Sequence, residues 1–127
     1  MLSPFWKHFK SGTDIRGVAI EGAYGEPLDL TDEVVENIAA GFAGWLTKRT
    51  GKPEEQLTVS VGRDSRISGP RIRDAVINAL TTSGVRVIDC GLASTPAMFM
   101  TTVDLKCDAS IQITASHHPY HRNGLKF

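Results

Sequence analysis

The chain has 127 residues, 41% of them hydrophobic and 22% charged, the proportions of a folded globular domain rather than a disordered or collagen-like chain. Lys plus Arg (14) balance Asp plus Glu (14), so nothing in the composition suggests the basic footprint of a nucleic-acid or membrane-surface binder. The length fits one domain of the usual ~100–200 residues.

Cys90 and Cys107, the two cysteines, lie in or beside apolar runs without the spacing of a disulfide framework or a metal pair, which fits a reducing, cytoplasmic setting. Met1 to Lys7 has no long apolar core after a basic start, and no stretch approaches the ~20 apolar residues of a membrane span. The chain therefore reads as soluble and unexported.

In chain order, Phe9 to Ile20, followed by Gly22-Ala23-Tyr24-Gly25, reads as an extra strand or hairpin at a sheet edge. Thr31 is a candidate N-cap with Asp32 and Glu33 in the first turn, and Val34, Val35, Ile38, Ala39, Phe42, Trp45 and Leu46 follow a helical period. Lys48, Arg49, Gly51 and Pro53 mark that helix's end. A strand is predicted over Leu57 to Val61. A second helix begins near Ser68-Gly69-Pro70 and buries Ile72, Ala75, Val76, Ala79 and Leu80 as far as Gly84. Val85 to Cys90 is the next strand, Thr95-Pro96 opens a third and shorter helix, and Ala109 to Thr114 is a further strand.

This alternation predicts an α/β fold, a three-layer α/β/α sandwich around a mixed, mostly parallel sheet. Trp45, Phe42, Met98 and Phe99 fit core positions, whereas nothing marks Trp6 or His8 as functional. In such sheets ligands gather beyond the carboxyl ends of the strands. Those ends carry Gly62-Arg63-Asp64-Ser65-Arg66, Gly91 to Pro96 and Thr114-Ala115-Ser116-His117-His118-Pro119.

A serine just after a strand end and next to a histidine is placed as a nucleophile or phosphate carrier, since the loop exposes its hydroxyl and the imidazole can move its proton. A cap or turn role is the commoner fate of such a serine. Lys126 could return across an Asn123-Gly124 turn to stabilise transferred charge. Arg63, Asp64 and Arg66 read as a salt-bridged loop fixing the second helix's start rather than as substrate contacts. No cysteine lies near His117, His118 and His121 and Pro119 spaces them irregularly, so no zinc site is assigned.

Four segments in order carry a resemblance. Thr114-Ala115-Ser116-His117-His118-Pro119 is similar to the T-A-S-H-N-P loop of the α-D-phosphohexomutases, and Asn123-Gly124-Leu125-Lys126 to its N-G-x-K continuation. Gly12-Thr13-Asp14-Ile15-Arg16-Gly17 resembles the D-I-R-G motif, and Gly62 to Pro70 resembles G-R-D-x-R-x-S-G-P, with Thr95-Pro96 at the family's place between them and the serine loop.

The resemblance implies that Ser116 is phosphorylated in the active enzyme and that its phosphate binds Mg²⁺. It implies that Arg16 contacts this phosphoserine and that His117 and Lys126 assist proton movement and charge stabilisation. The activity implied is interconversion of hexose 1-phosphate and hexose 6-phosphate, as a phosphomannomutase or phosphoglucomutase, with hexose 1,6-bisphosphate as activator. A phosphoglucosamine mutase and a non-enzymatic phosphate-binding module are the alternatives. Family members have four domains, so the resemblance implies a first domain over residues 1–127, truncated and inactive alone, whose partners are the hexose phosphate substrate and the remaining domains. Where the family has Asn, this chain has His118, which changes the side-chain hydrogen bonds available to the loop.

Overall fold

In the computed structural model, which describes all 127 residues, the first long helix forms where its caps predict it. The Thr31 hydroxyl accepts the Val34 N–H at 3.2 Å, and Gly51, at φ 74°, closes α2 (Asp32–Thr50) in the left-handed conformation that glycine adopts without strain. Ahead of it lie a one-turn helix, α1 (Pro4–Lys7), too short to show a helical period, and a hairpin of β1 (Lys10–Ser11) and β2 (Asp14–Val18). The chain continues through β3 (Thr58–Arg63), α3 (Gly69–Thr82), β4 (Arg86–Leu92), α4 (Thr95–Asp104), β5 (Ala109–Ile113) and β6 (Arg122–Lys126). Ser94, one residue before the predicted start, caps α4 by accepting the Ala97 N–H.

The six strands form one sheet in the order β1-β2-β6-β5-β3-β4. β3 pairs in parallel with β4 and β5, as crossovers through α3 and α4 require. β5–β6, β6–β2 and β2–β1 are antiparallel, so the sheet is mixed, although β2, β3, β4 and β5 all point the same way. The predicted edge hairpin is present, and β6 is the strand that joins it to the parallel half.

Alternation along the strands divides the two faces. Val59, Val61, Ile111, Ile113 and Leu125 pack with the buried stripes of α2 and α3 in one apolar core. The other face carries α4, which lies over β3 and β5, and Met98 is its one buried side chain. Gly62 permits this approach, because a Cβ there would run into the Met98 side chain.

Three core assignments need correction: Trp45 and Phe99 are exposed, at 56% and 71%, and Phe42 is only half-buried. The helical period locates the apolar stripe but not how much of it the neighbouring elements cover. Phe42 and Trp45 lie at the edge of the α2 contact, where their rings stack on each other with centroids 5.7 Å apart. No helix is long and apolar enough to cross a membrane.

Candidate active site

β5 ends in a loop whose shape is set by side chains. The Thr114 hydroxyl donates to Asp64 Oδ2 at 2.7 Å and accepts the Ser116 N–H at 3.1 Å, a local turn of the kind that Ser and Thr favour. His118 N–H then reaches the Ala115 carbonyl at 3.0 Å, which makes Ser116 the second residue of a tight turn. Its φ is 54°, a left-handed value that costs a non-glycine residue about 1 kcal/mol or more. Ala115 is fully buried and roots the loop, while Ser116 and His117 are exposed. The Ser116 Oγ makes no hydrogen bond within the chain; only its backbone N–H and carbonyl are engaged.

The His117 ring stacks on that of His118, with centroids 5.2 Å apart. Partial burial, then His117, Arg122, Arg16 and Arg66, hold the His118 imidazole below its ordinary pKa. His121 takes no part in this stacked pair. Its side chain is buried with Nε2 2.8 Å from Glu26 Oε2, which ties the loop to the turn after β2.

Arg66 reaches the same loop from the end of β3. Its Nη1 donates to the carbonyls of Pro119 (2.8 Å) and Arg122 (3.1 Å), its Nη2 to those of Ser116 (2.8 Å) and His118 (2.9 Å), and its Nε faces Asp64 Oδ2 at 3.3 Å. The segment does precede α3, as the sequence predicted. The Arg66 side chain, however, is spent mainly on the serine loop, because the carboxyl ends of β3 and β5 are neighbours in the sheet. No local pattern in the sequence signals those four carbonyls. Asp64, Ser65, Arg66, Ile67, Ser116, His118 and Tyr120 line an open hollow of about 450 Å³. Two roomier hollows, of about 490 and 700 Å³, contain neither Ser116 nor His117 or His118.

Arg16 and Lys126 come together one strand further on. Asp14 Oδ2 lies 3.0 Å from Arg16 Nη2 and 3.7 Å from Lys126 Nζ. Lys126 thus shares the Asp14 carboxylate with Arg16. Asn123 and Gly124 form no turn: they lie within β6, where Asn123 is fully buried and donates to the Ser68 Oγ at 2.8 Å. The reversal of direction occurs earlier, over residues 115–121, and outweighs the local Asn-Gly signal.

Arg16 is also more than a surface residue. It is 6% exposed and lies across Gly124, its partner in the β2–β6 register, where any Cβ would strike its guanidinium. Burial lowers the Arg16 pKa and Asp14 opposes this, but a guanidinium stays protonated in either case. Only two hydrogen bonds engage its N–H groups, Nη1 to the Ile15 carbonyl and Nη2 to Asp14. The remaining donors are free for an anion.

Comparison with known proteins agrees with this geometry. Residues 8–127 match the family model described as phosphoglucomutase/phosphomannomutase, alpha/beta/alpha domain I. Among curated relatives, a phosphoglucosamine mutase of Nautilia profundicola is 40% identical over 116 residues, 91% of this chain and 24% of that protein. A phosphoglucomutase/phosphomannomutase of Thermococcus kodakarensis is 41% identical over 112 residues (88% and 22%), and a phosphoglucosamine mutase of Campylobacter lari 48% over 109 (84% and 23%). A crystal structure of a phosphoglucomutase/phosphomannomutase family protein from Burkholderia thailandensis superposes with a TM-score of 0.74 at 30% identity, covering 99% of this chain and 26% of that one. The chain therefore spans about a quarter of the length of such relatives. With the serine loop, the buried Arg16 and the mixed sheet all in place, the chain belongs to the phosphoglucomutase/phosphomannomutase family.

Proposed function

We propose that this chain supplies the phosphoryl-carrying serine of a phosphohexomutase. The observation that supports it best is the strained, exposed Ser116, its Oγ free, on a loop held from behind by Arg66 and rooted by Ala115. Phosphorylated Ser116 would give its phosphoryl group to a hydroxyl of a hexose monophosphate. The Oγ–P bond breaks, a sugar O–P bond forms, and the hydroxyl proton passes to a base, for which the exposed His117 is placed, and from it to the departing Oγ. Ser116 then recovers the other phosphate from the bisphosphate, and free hexose 1,6-bisphosphate would prime the bare serine in the same way. Arg16, with donors to spare, would hold phosphate oxygens in its planar fork.

Mg²⁺ bound to the phosphoserine would neutralise charge on the transferring group. Within this chain only that phosphate is offered to the ion, since Asp14 and Asp64 are committed to Arg16, Lys126, Arg66 and Thr114. No group of three His, Cys, Asp or Glu side chains converges elsewhere. A glucosamine phosphate is the second reading for the substrate, favoured by the names of the relatives from Nautilia profundicola and Campylobacter lari.

The test offers glucose 1-phosphate, mannose 1-phosphate and glucosamine 1-phosphate separately, with Mg²⁺ and hexose bisphosphate, to the 127-residue chain and to the full-length protein. Turnover is expected only from the full-length protein. The chain alone forfeits the positioning of the sugar and its second phosphate, which contributes up to about 7–11 kcal/mol for well-oriented groups. No turnover of any of the three by the full-length protein would overturn the mutase reading. Sustained turnover by the chain alone, lost in Ser116→Ala, would refute the need for further domains.

Arg16→Ala in the full-length enzyme is expected to reduce turnover about 10- to 100-fold, as loss of a charge-assisted contact of ~1.5–3 kcal/mol implies. Because Arg16 is buried against Gly124, a loss of melting temperature should accompany it, and Arg16→Lys separates the two. Lysine keeps charge and much of the packing but not the fork, so it should restore stability more than activity. Full activity in Arg16→Lys would show that a point charge suffices.

A further inference from the structure

We propose that Arg66 is the positioning residue of the phosphoryl carrier, holding the Ser116 backbone in its left-handed conformation without itself touching phosphate or sugar; the inference rests on the mutase reading of this site. A guanidinium has five N–H groups. In Arg66 all five have acceptors: Nε has Asp64 Oδ2, and the other four have the carbonyls of Ser116, His118, Pro119 and Arg122. None remains for a ligand, in contrast to Arg16. The acceptors run through the whole loop, so one rigid plane fixes where four of its peptide groups point.

Two further contacts hold the plane itself in place. The Asp64 carboxylate accepts the Arg66 N–H at 3.1 Å and the Thr114 hydroxyl at 2.7 Å, which links the ends of β3 and β5. The Arg66 side chain is only 13% exposed, so water competes weakly for its donors. A serine at φ 54° relaxes unless its surroundings enforce the value, and the Ser116 carbonyl is bonded to Arg66 itself. Lysine cannot replace this arrangement: an ammonium has three donors and no plane, too few for four carbonyls spread over seven residues.

The experiment compares Arg66→Ala and Arg66→Lys with the parent in two assays. In the full-length enzyme, kcat should fall about 100-fold in both variants, the cost of misplacing a reacting atom by about 1 Å, while KM for the hexose phosphate stays within about threefold. Millimolar guanidinium should restore part of the kcat of Arg66→Ala and none of that of Arg66→Lys, whose side chain still fills the site. In the 127-residue chain, amide exchange of residues 116–122 should quicken about tenfold or more while Ile111 and Val59 keep their protection.

A rise in KM at constant kcat would make Arg66 a substrate contact and overturn the proposal, as would full activity in Arg66→Lys. Unchanged exchange in the loop would overturn it independently of any activity. Should the parent enzyme show no mutase turnover while the exchange result holds, the mutase reading fails and the clamp on the Ser116 backbone stands.

Discussion

Ser116→Ala in the full-length enzyme is expected to leave less than about one part in 10⁴ of the parent turnover, because removal of a nucleophile that works as a unit with its neighbours costs orders of magnitude more than removal of a binding contact. The structure makes this substitution unusually clean. Ser116 Oγ makes no hydrogen bond within the chain, so its loss should move stability by no more than about 0.5 kcal/mol. Alanine at φ 54° bears the same backbone strain as serine, so the loop should keep its shape. Intact mass and peptide mapping after incubation with a hexose 1,6-bisphosphate would place the phosphate. A phosphate on another serine, with Ser116 bare, would overturn the assignment, as would ordinary turnover by Ser116→Ala.

The second large effect is expected at Gly124, where neither nucleophile nor charge is changed. A Cβ there would collide with the backbone carbonyl of Ile15 and lie 2.8 Å from Arg16 Nη1 and 2.9 Å from Arg16 Cδ. The flexible guanidinium can move aside, but the carbonyl belongs to the neighbouring strand and cannot. Gly124→Ala must therefore push β2 from β6, with an overpacking cost of about 3 kcal/mol. Thermal melting of the 127-residue chain should fall by about 10 °C. In the full-length enzyme turnover should fall as well, since Arg16 loses the surface on which it lies. Gly41→Ala, in α2 with nothing within 4 Å of its Cβ, is the matched control and should melt no lower than the parent. A Gly124→Ala variant that melts within about 2 °C of the parent would show that the strands part more easily than close packing allows.

Much of the scaffold could be read from local chemistry. Thr31, Gly51 and Pro70 punctuate the helices because caps and breakers act within one or two turns, and the apolar periods of α2 and α3 reflect the core they share. The serine loop was legible for a similar reason, as a polar cluster just beyond a β-branched run. What escaped reading depends on partners far away in sequence. Arg66 reaches carbonyls some fifty residues on, and a carbonyl leaves no trace in residue type. Asn123 and Gly124 resemble a hairpin turn until burial commits them to Ser68 and Arg16. Lys126 reaches Asp14 along this strand rather than across a turn. Phe99 is exposed because α4 covers part of one sheet face with nothing packed on its outer side.

The place of β6 in the sheet has a further consequence, for the order in which the molecule can assemble. β6 comes after the other five strands of the sheet in sequence yet lies between β5 and β2, pairing residue 125 with residue 15 and residue 124 with residue 16. During synthesis the hairpin of β1 and β2 leaves the ribosome before the other strands of the sheet and has no strand to dock against until β3, β4 and β5 have been made. The parallel half, β3, β4 and β5 with α3 and α4, can close beforehand, because its pairings span shorter loops. Arg16 waits on one side and Ser116 on the other. The zipping of β6 joins the two halves, so that Arg16 and the Ser116 loop are brought onto one sheet late in the assembly of these strands rather than at its nucleus.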